Sequence, residues 1–435
     1  MNYIEIKSLI KKFIKKIPFF NELGRNYLNN RRKQKFFKGP IYIQQKDLVQ
    51  KIKKKPIIKV AFIVLHHSVW KYDELYRLLE NDPLFEPIIV ACPVVNHGDE
   101  YMSDNLSQTY SHFKQNYNAL NSLKDNGDWI DINLELNPDI VFFTNPHKLT
   151  SSLYQIDSFY NSLTCYTPYA FVVIHLLNLH YNYEFHAKLW KHFVETKTHK
   201  KFAECLYPER SSNVVNSGFP GLDQIYNIDY SPKNVWKKVQ AETIKIIWAP
   251  HHTIDDDTEF LAMSNFLEYA FFFQECIAQN KNIQIAFKPH PLLKPKLYLH
   301  EKWGAKKTDE YYQSWDLLDN GQLETGEYID LFSQSDALIL DSASFMVEYL
   351  YFGKPLLFMQ RDPLVKERLN EFGQLVLKQL CTSNNETELI AFIDDVKNGK
   401  DTNKKKREDF FNKEIKIHKI TSSEYIYNVL KNELS

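Results

Sequence analysis

The sequence predicts an α/β protein of two Rossmann-like domains facing a central cleft, preceded by a basic amphipathic N-terminal extension. Three observations predict it. The chain has 435 residues, too many for one ordinary core and enough for two. Short apolar runs without helical spacing alternate with amphipathic stretches, as in parallel sheets covered by helices. This alternation pauses at a turn containing glycine and proline near residue 220 and resumes at Ile244. The expected divisions are 1–55 (extension), 56–225 (N-terminal domain) and 226–435 (C-terminal domain).

The extension stands apart by charge. The chain carries 54 Lys and Arg against 54 Asp and Glu, yet residues 1–55 hold sixteen basic side chains and only Glu5, Glu22 and Asp47. Ile4, Ile6, Leu9, Ile10, Phe13, Ile14 and Ile17 share one helical face, and Lys7, Lys11, Lys12, Lys15 and Lys16 fill much of the rest. Such a helix suits an anionic membrane surface. Further basic residues at 31–38 and 51–55 add to that attraction; nucleic acid is the less favoured partner, and a helix folded on the body is the plain alternative. No run of about 18 apolar residues suggests a membrane span, and the start lacks the pattern of a signal peptide. A cytoplasmic chain, peripheral on the inner face of the cell membrane, is expected. Five scattered cysteines without CxxC spacing argue against a disulfide framework or a structural zinc site.

In the first domain IIKVAFIVLHH reads as a central strand, Lys71 to Leu79 as an amphipathic helix and FEPIIVACPVV as a second strand. A helix near Tyr101 to Gln115, a short strand at Trp129-Ile130 and a strand in PDIVFFTNP continue the series. CYTPY then leads into AFVVIHLLNL, read as another buried strand or its exit. His66, His67, His147 and His175 fall at strand ends, where such sheets place catalytic groups; each is also readable as an ordinary core histidine. VVNSGFPGLD is a short strand running into the interdomain turn.

In the second domain IKIIWAP ends in His251-His252-Thr253, a helix follows from about Phe260 to Gln279, and IQIAFKPHP is a strand ending in Lys288-Pro289-His290-Pro291. Two prolines stiffen that turn while an ammonium and an imidazole project from it, an arrangement suited to phosphate oxygens. DALILDSASFMVEYLYFGKPLLFM reads as strand, polar turn, helix, glycine stop and strand, a right-handed βαβ unit. Ser342 or Ser344 then opens a helix whose free N–H groups suit a diphosphate, and Glu348 one turn on suits a ribose diol. Asp255-Asp256-Asp257 is read as a solvated loop, and neither a protein-held metal nor a cofactor is expected.

Taken in order, GFPGLD, IIWAPHHT, KPHP and DALILDSASFMVEYLYFGKP resemble the CDP-glycerol glycerophosphotransferase family, teichoic-acid and capsule polymer enzymes of GT-B fold. The resemblance covers about residues 214–362, and more loosely 57–213. It implies that Lys288, His290, Asp341, Ser344 and Glu348 bind the donor; Ser342 at the same turn and His251 are expected beside them. It also implies transfer of glycerol phosphate, or a related polyol phosphate, from a CDP-linked donor to a hydroxyl of a cell-surface polymer or lipid-linked acceptor. Two departures bear on this. Gly221-Leu222 stands where the family's GYPRND-like loop has Arg-Asn, and Ser342-Ala343 replaces the tyrosine and first serine of its TDYSS turn. No HGT segment occurs before residue 200, so the base must be sought elsewhere, at His147 or at His66 and His67. A GT-B glycosyltransferase with a nucleotide-sugar donor, or a non-catalytic membrane partner, would keep the same cleft.

Overall fold

In the computed structural model the described residues are 40–181, 184–206, 212–239, 243–254 and 261–435. The lipid-facing helix expected at residues 4–17, the basic cluster at 31–38 and the acidic run Asp255–Asp257 lie outside them. Among the described residues the strands form two parallel sheets. The first has order β3-β2-β1-β4-β5-β6-β7: β1 Ile58–Val64, β2 Phe85–Ala91, β3 Ala119–Asn121, β4 Ile140–Phe143, β5 Leu163–Tyr166, β6 Lys191–Val194 and β7 Val214–Asn216. The second has order β10-β9-β8-β11-β12-β13: β8 Ile244–Ala249, β9 Ile283–Phe287, β10 Gly321–Leu323, β11 Ala337–Leu340, β12 Leu356–Met359 and β13 Cys381–Ser383.

Both orders reverse direction beside their first strand, which opens a crevice at the carboxyl edge of each sheet. The strands are apolar nearly throughout because helices cover both faces, leaving no side to face water. Helices used below are α1 (Pro40–Ile52), α2 (Asp73–Glu80), α3 (Asp99–Lys114), α4 (Lys197–Leu206), α5 (Phe266–Gln279), α6 (Gly304–Leu317), α7 (Phe345–Glu348), α8 (Glu386–Lys397) and α9 (Ser422–Leu434). Trp248 of β8 lies against Phe266 and Phe273 of α5, Phe287 of β9 and Trp315 of α6, an aromatic stack that fixes α5 and α6 on one face of the sheet. Among the described residues no helix is long and apolar enough to cross a membrane.

Three elements depart from expectation. Trp129 forms an isolated antiparallel bridge with Leu123, not a strand; the edge strand is Ala119–Asn121. Gly127 and the cap residue Asp131 leave too few extended positions between them for a ladder.

The run AFVVIHLLNL is not a strand of the first sheet either. LTCY before it is β5, and residues 171–175 cross to the other domain. There Asn370 Nδ2 donates to Val172 O at 2.6 Å, Asn370 N to Val173 O at 2.9 Å and His175 N to Arg368 O at 2.9 Å. Phe171, Val172 and Val173 are buried in the C-terminal core. An apolar run reports burial, and it does so equally for a strand and for a strap between domains.

The last helix does not stay with the domain it follows in sequence. Ile426, Leu430 and Leu434 of α9 enter the core of the first sheet with Tyr72, Leu75 and Leu79, and Lys431 reaches Asp82 at 2.6 Å. A boundary at 225 that assigns everything after it to the second domain misplaces this helix. The loop GFPGLD receives its start: Asp223 Oδ1 and Oδ2 accept Ser422 N and Ser423 N at 3.3 and 2.6 Å, a carboxylate on a helix N-terminus. Gly218, at φ +87°, passes so close that a Cβ would lie 2.4 Å from Ser422 Oγ.

Candidate active site

The crevice at the carboxyl edge of the second sheet is built from the turns after β8, β9 and β11. Parallel strands end together there, and backbone hydrogen bonds join the turns: Lys288 N donates to Trp248 O at 2.8 Å and His290 N to Pro250 O at 3.1 Å. This brings three imidazoles together. Ring centroids are 4.3 Å apart for His251 and His252, 4.3 Å for His252 and His290, and 5.2 Å for His251 and His290.

Neighbouring groups fix which ring nitrogens carry protons. Leu292 N donates to His290 Nδ1 at 3.1 Å, so in the neutral ring the hydrogen sits on Nε2, a donor into the crevice. Thr253 Oγ1 donates to Leu261 O and accepts from Met263 N, so its contact with His251 Nδ1 at 2.9 Å is donated by the ring, leaving His251 Nε2 bare. Burial and Lys296 hold all three rings below the usual histidine range, helped at His251 and His290 by neighbouring imidazoles, with His252 at about 4 and His290 at about 3. At pH 7 the empty crevice is therefore neutral at its histidines.

Among the described residues this trio is the group spaced for a metal ion. The donor set fits one poorly: His290 spends its Nδ1 lone pair on Leu292, and Lys296 adds positive charge close by. Hydrogen-bond donors and a nearby ammonium favour an anion instead.

The remaining expected donor residues are placed as follows. Asp341 is fully buried beneath the trio; Oδ1 accepts His251 N at 2.6 Å, and Oδ2 accepts Asn265 N at 2.5 Å and Asn265 Nδ2 at 3.2 Å. Its oxygens hold the turn from below, a supporting place where the sequence suggested direct donor contact. Burial lifts its carboxyl to about 7 against these bonds. Lys288 is buried, its ammonium donates to Gly326 O, and burial lowers its pKa to about 8 against the pull of Glu324 and Glu327. Ser342 is buried and Ser344 partly so; Ser344 precedes α7, a single α-turn that continues as a 3₁₀ turn to Phe352 before Gly353 at φ +65°. So short an element carries little macrodipole, and the expected helix-end diphosphate site loses most of its basis. Glu348 is 2% exposed, accepts Tyr328 Oη at Oε2, and is raised by burial against Lys71, Tyr328 and Ser344.

The candidate bases separate. His66 Nδ1 pairs with Asn105 Oδ1 at 2.8 Å. His67 stacks on His112 at 4.9 Å and lies in the field of Glu327, which belongs to the other domain. His147 instead lies in electrostatic reach of His180 and His186, inside its own domain. Burial lowers all three.

Sequence reasoning quoted His252 without assigning it a role and missed Lys71, Tyr328 and Asn265. The doublet His251-His252 could have flagged the first. Nothing local marks the others: Lys71 and Tyr328 are 257 positions apart, and Asn265 is 76 positions from Asp341.

With this geometry in place, comparison with known proteins decides the family. The family model described as CDP-Glycerol:Poly(glycerophosphate) glycerophosphotransferase matches residues 178–432. The chain belongs to this glycerophosphotransferase family. No curated protein sequence matches it. Among solved structures, the wall teichoic acid polymerase TagF superposes with TM-score 0.56 at 13% identity, covering 94% of this chain and 98% of that one. A TagF H444N variant soaked with CDPG gives 0.53 at 14%, covering 96% and 98%. The UDP-GlcNAc 2-epimerase of Neisseria meningitidis bound to UDP-GlcNAc gives 0.54 at 16%, covering 86% and 100%. These likenesses establish the shared two-domain GT-B architecture, and family membership makes this chain a glycerophosphotransferase-type transferase.

Proposed function

We propose that the chain moves glycerol phosphate from CDP-glycerol, or a related polyol phosphate from its CDP derivative, to an acceptor hydroxyl in the interdomain cleft. The observation carrying this is the family match over a crevice whose three histidines stand on turns stitched together by backbone hydrogen bonds. His290 Nε2–H donates to the diphosphate, and Lys288 adds charge once drawn from Gly326. Glu348 lies beneath the ribose.

The acceptor oxygen attacks the glycerol-bearing phosphorus. A new P–O bond forms as the bond to the cytidylate oxygen breaks, and the electron pair leaves with CMP. The acceptor's proton passes to His67, a neutral imidazole in the opposing domain facing Glu327. The acceptor belongs to a cell-surface polymer or a lipid-linked precursor, and residues 1–38 hold the enzyme on anionic membrane.

Incubation with CDP-glycerol, CDP-ribitol and UDP-sugars, with release of the free nucleotide as readout, tests the donor. CMP release from a CDP-polyol supports the reading; turnover of UDP-sugars alone overturns it in favour of a glycosyltransferase.

A further inference from the structure

Lys71 joins the two domains at the cleft floor. It follows β1 in the N-terminal domain, yet it is only 8% exposed, its Nζ donates to Tyr328 Oη of the C-terminal domain at 3.2 Å, and it sits 5.0 Å over that ring. Tyr328 in turn donates to Glu348 Oε2. The result is one polarised chain, ammonium to phenol to carboxylate, across the domain boundary.

Its path explains an otherwise odd residue. A Cβ on Gly221 would lie 2.6 Å from Lys71 Cδ and 2.8 Å from the Phe219 ring. Any side chain at 221 and the observed lysine therefore exclude each other. Position 221 is where the GYPRND-like loop carries arginine, so a loop cation is absent in the same place where a cation arrives from the other domain.

We infer that Lys71 is a donor-positioning residue contributed by the acceptor-side domain, which acts through Tyr328 to hold Glu348 in place under the donor nucleoside. Gly221 leaves room for it and for the Phe219 ring. The groups facing Glu348 are Lys71, Tyr328, Ser344 and Tyr351, with Glu327 behind Tyr328; Lys71 is the cation among them and offsets the cost of burying the carboxylate. Without it Glu348 takes up a proton at higher pH and loses its acceptor strength, and raising the pH restores the ionised form.

The inference rests on the proposed donor site, and calorimetric titration with CDP separates the two. Lys71→Met is expected to weaken CDP about tenfold at pH 6.5 and less at pH 8.5, the cost of one charged contact. In the Glu348→Gln background Lys71→Met is expected to change nothing further, since both act through one group. Wild-type binding by Lys71→Met at both pH values, with Glu348→Gln impaired, overturns the role of Lys71 and leaves the donor site standing. Wild-type binding by Glu348→Gln and His290→Ala together removes the donor site itself. If Lys71→Met fails to fold, Tyr328→Phe removes only the relay hydroxyl and carries the same expectation: pH-independent wild-type affinity in that variant overturns the inference.

Discussion

The two sheet edges that face each other across the cleft are built on the same strand order and furnished in opposite ways. At the edge of the second sheet the histidines stand on turns locked by backbone hydrogen bonds and supported from below by the buried Asp341. At the edge of the first, His66 and His67 lie on a single 3₁₀ turn, tied by a side-chain pair to Asn105 and a stack on His112. One edge is shaped by short turn motifs joined through the backbone; the other depends on side-chain contacts from α3. A nucleotide diphosphate rewards such preorganisation.

The contrast can be broken from either side. The largest effect is expected from His67→Ala, which should lower kcat by about 10²- to 10⁴-fold with donor affinity retained, as for loss of a general base; steady-state rates beside CDP titrations check it. His147→Ala, inside its own domain, should leave kcat nearly intact. A large loss in the His147 variant would move the base there.

Asp341→Ala should then cost about 3 kcal/mol or more of unfolding free energy, since three buried donors lose their acceptor. Urea denaturation measures this, and a change under about 1 kcal/mol would deny Asp341 its supporting role. His290→Ala should weaken CDP by roughly 10- to 100-fold, as loss of a charge-assisted contact to phosphate. The corresponding change at His66 should leave CDP binding unmoved.

The smallest effect is a proton count. Because the three rings are neutral when the crevice is empty, an arriving diphosphate should raise their affinity for protons. CDP binding near pH 7 should then take up a measurable fraction of a proton, seen by calorimetry in buffers of different ionisation enthalpy. Zero uptake would mean that the rings act only as neutral N–H donors. The same depressed values set a pH dependence of stability. Folded His252 and His290 lie below the unfolded 6.5, so their contribution is complete above that pH and is lost as pH falls toward 4 and 3. Bound donor, by raising those values toward 6.5, should shrink that loss and end it at higher pH.

How far the sequence could be read follows from the same contrast. The strand, turn and helix alternation around Ala337–Met359 was legible because each signal spans only a few neighbouring residues, and KPHP and HH were legible as turns. Asp341 was visible as a residue and invisible as a support, since its partner Asn265 is 76 positions away. Phe171 to Val173 advertised burial without saying which domain would bury them. Lys71 carried no signal at all, because its meaning depends on a glycine 150 positions later and a tyrosine 257 positions later. Local chemistry is written in short words; contacts between domains are not.

The return of α9 to the first sheet has a mechanical consequence. The chain passes between the domains once after Asp223 and again before Thr421, and the strap at 171–175 grips the second domain a third time. Bodies joined at several points cannot swing freely against each other. It also means that the N-terminal domain is not a continuous stretch of polypeptide. Truncation before residue 422 would strip Ile426, Leu430 and Leu434 from a core that includes Tyr72, Leu75 and Leu79, more than 340 positions upstream, and a fragment ending at 225 would be sticky where α9 belongs.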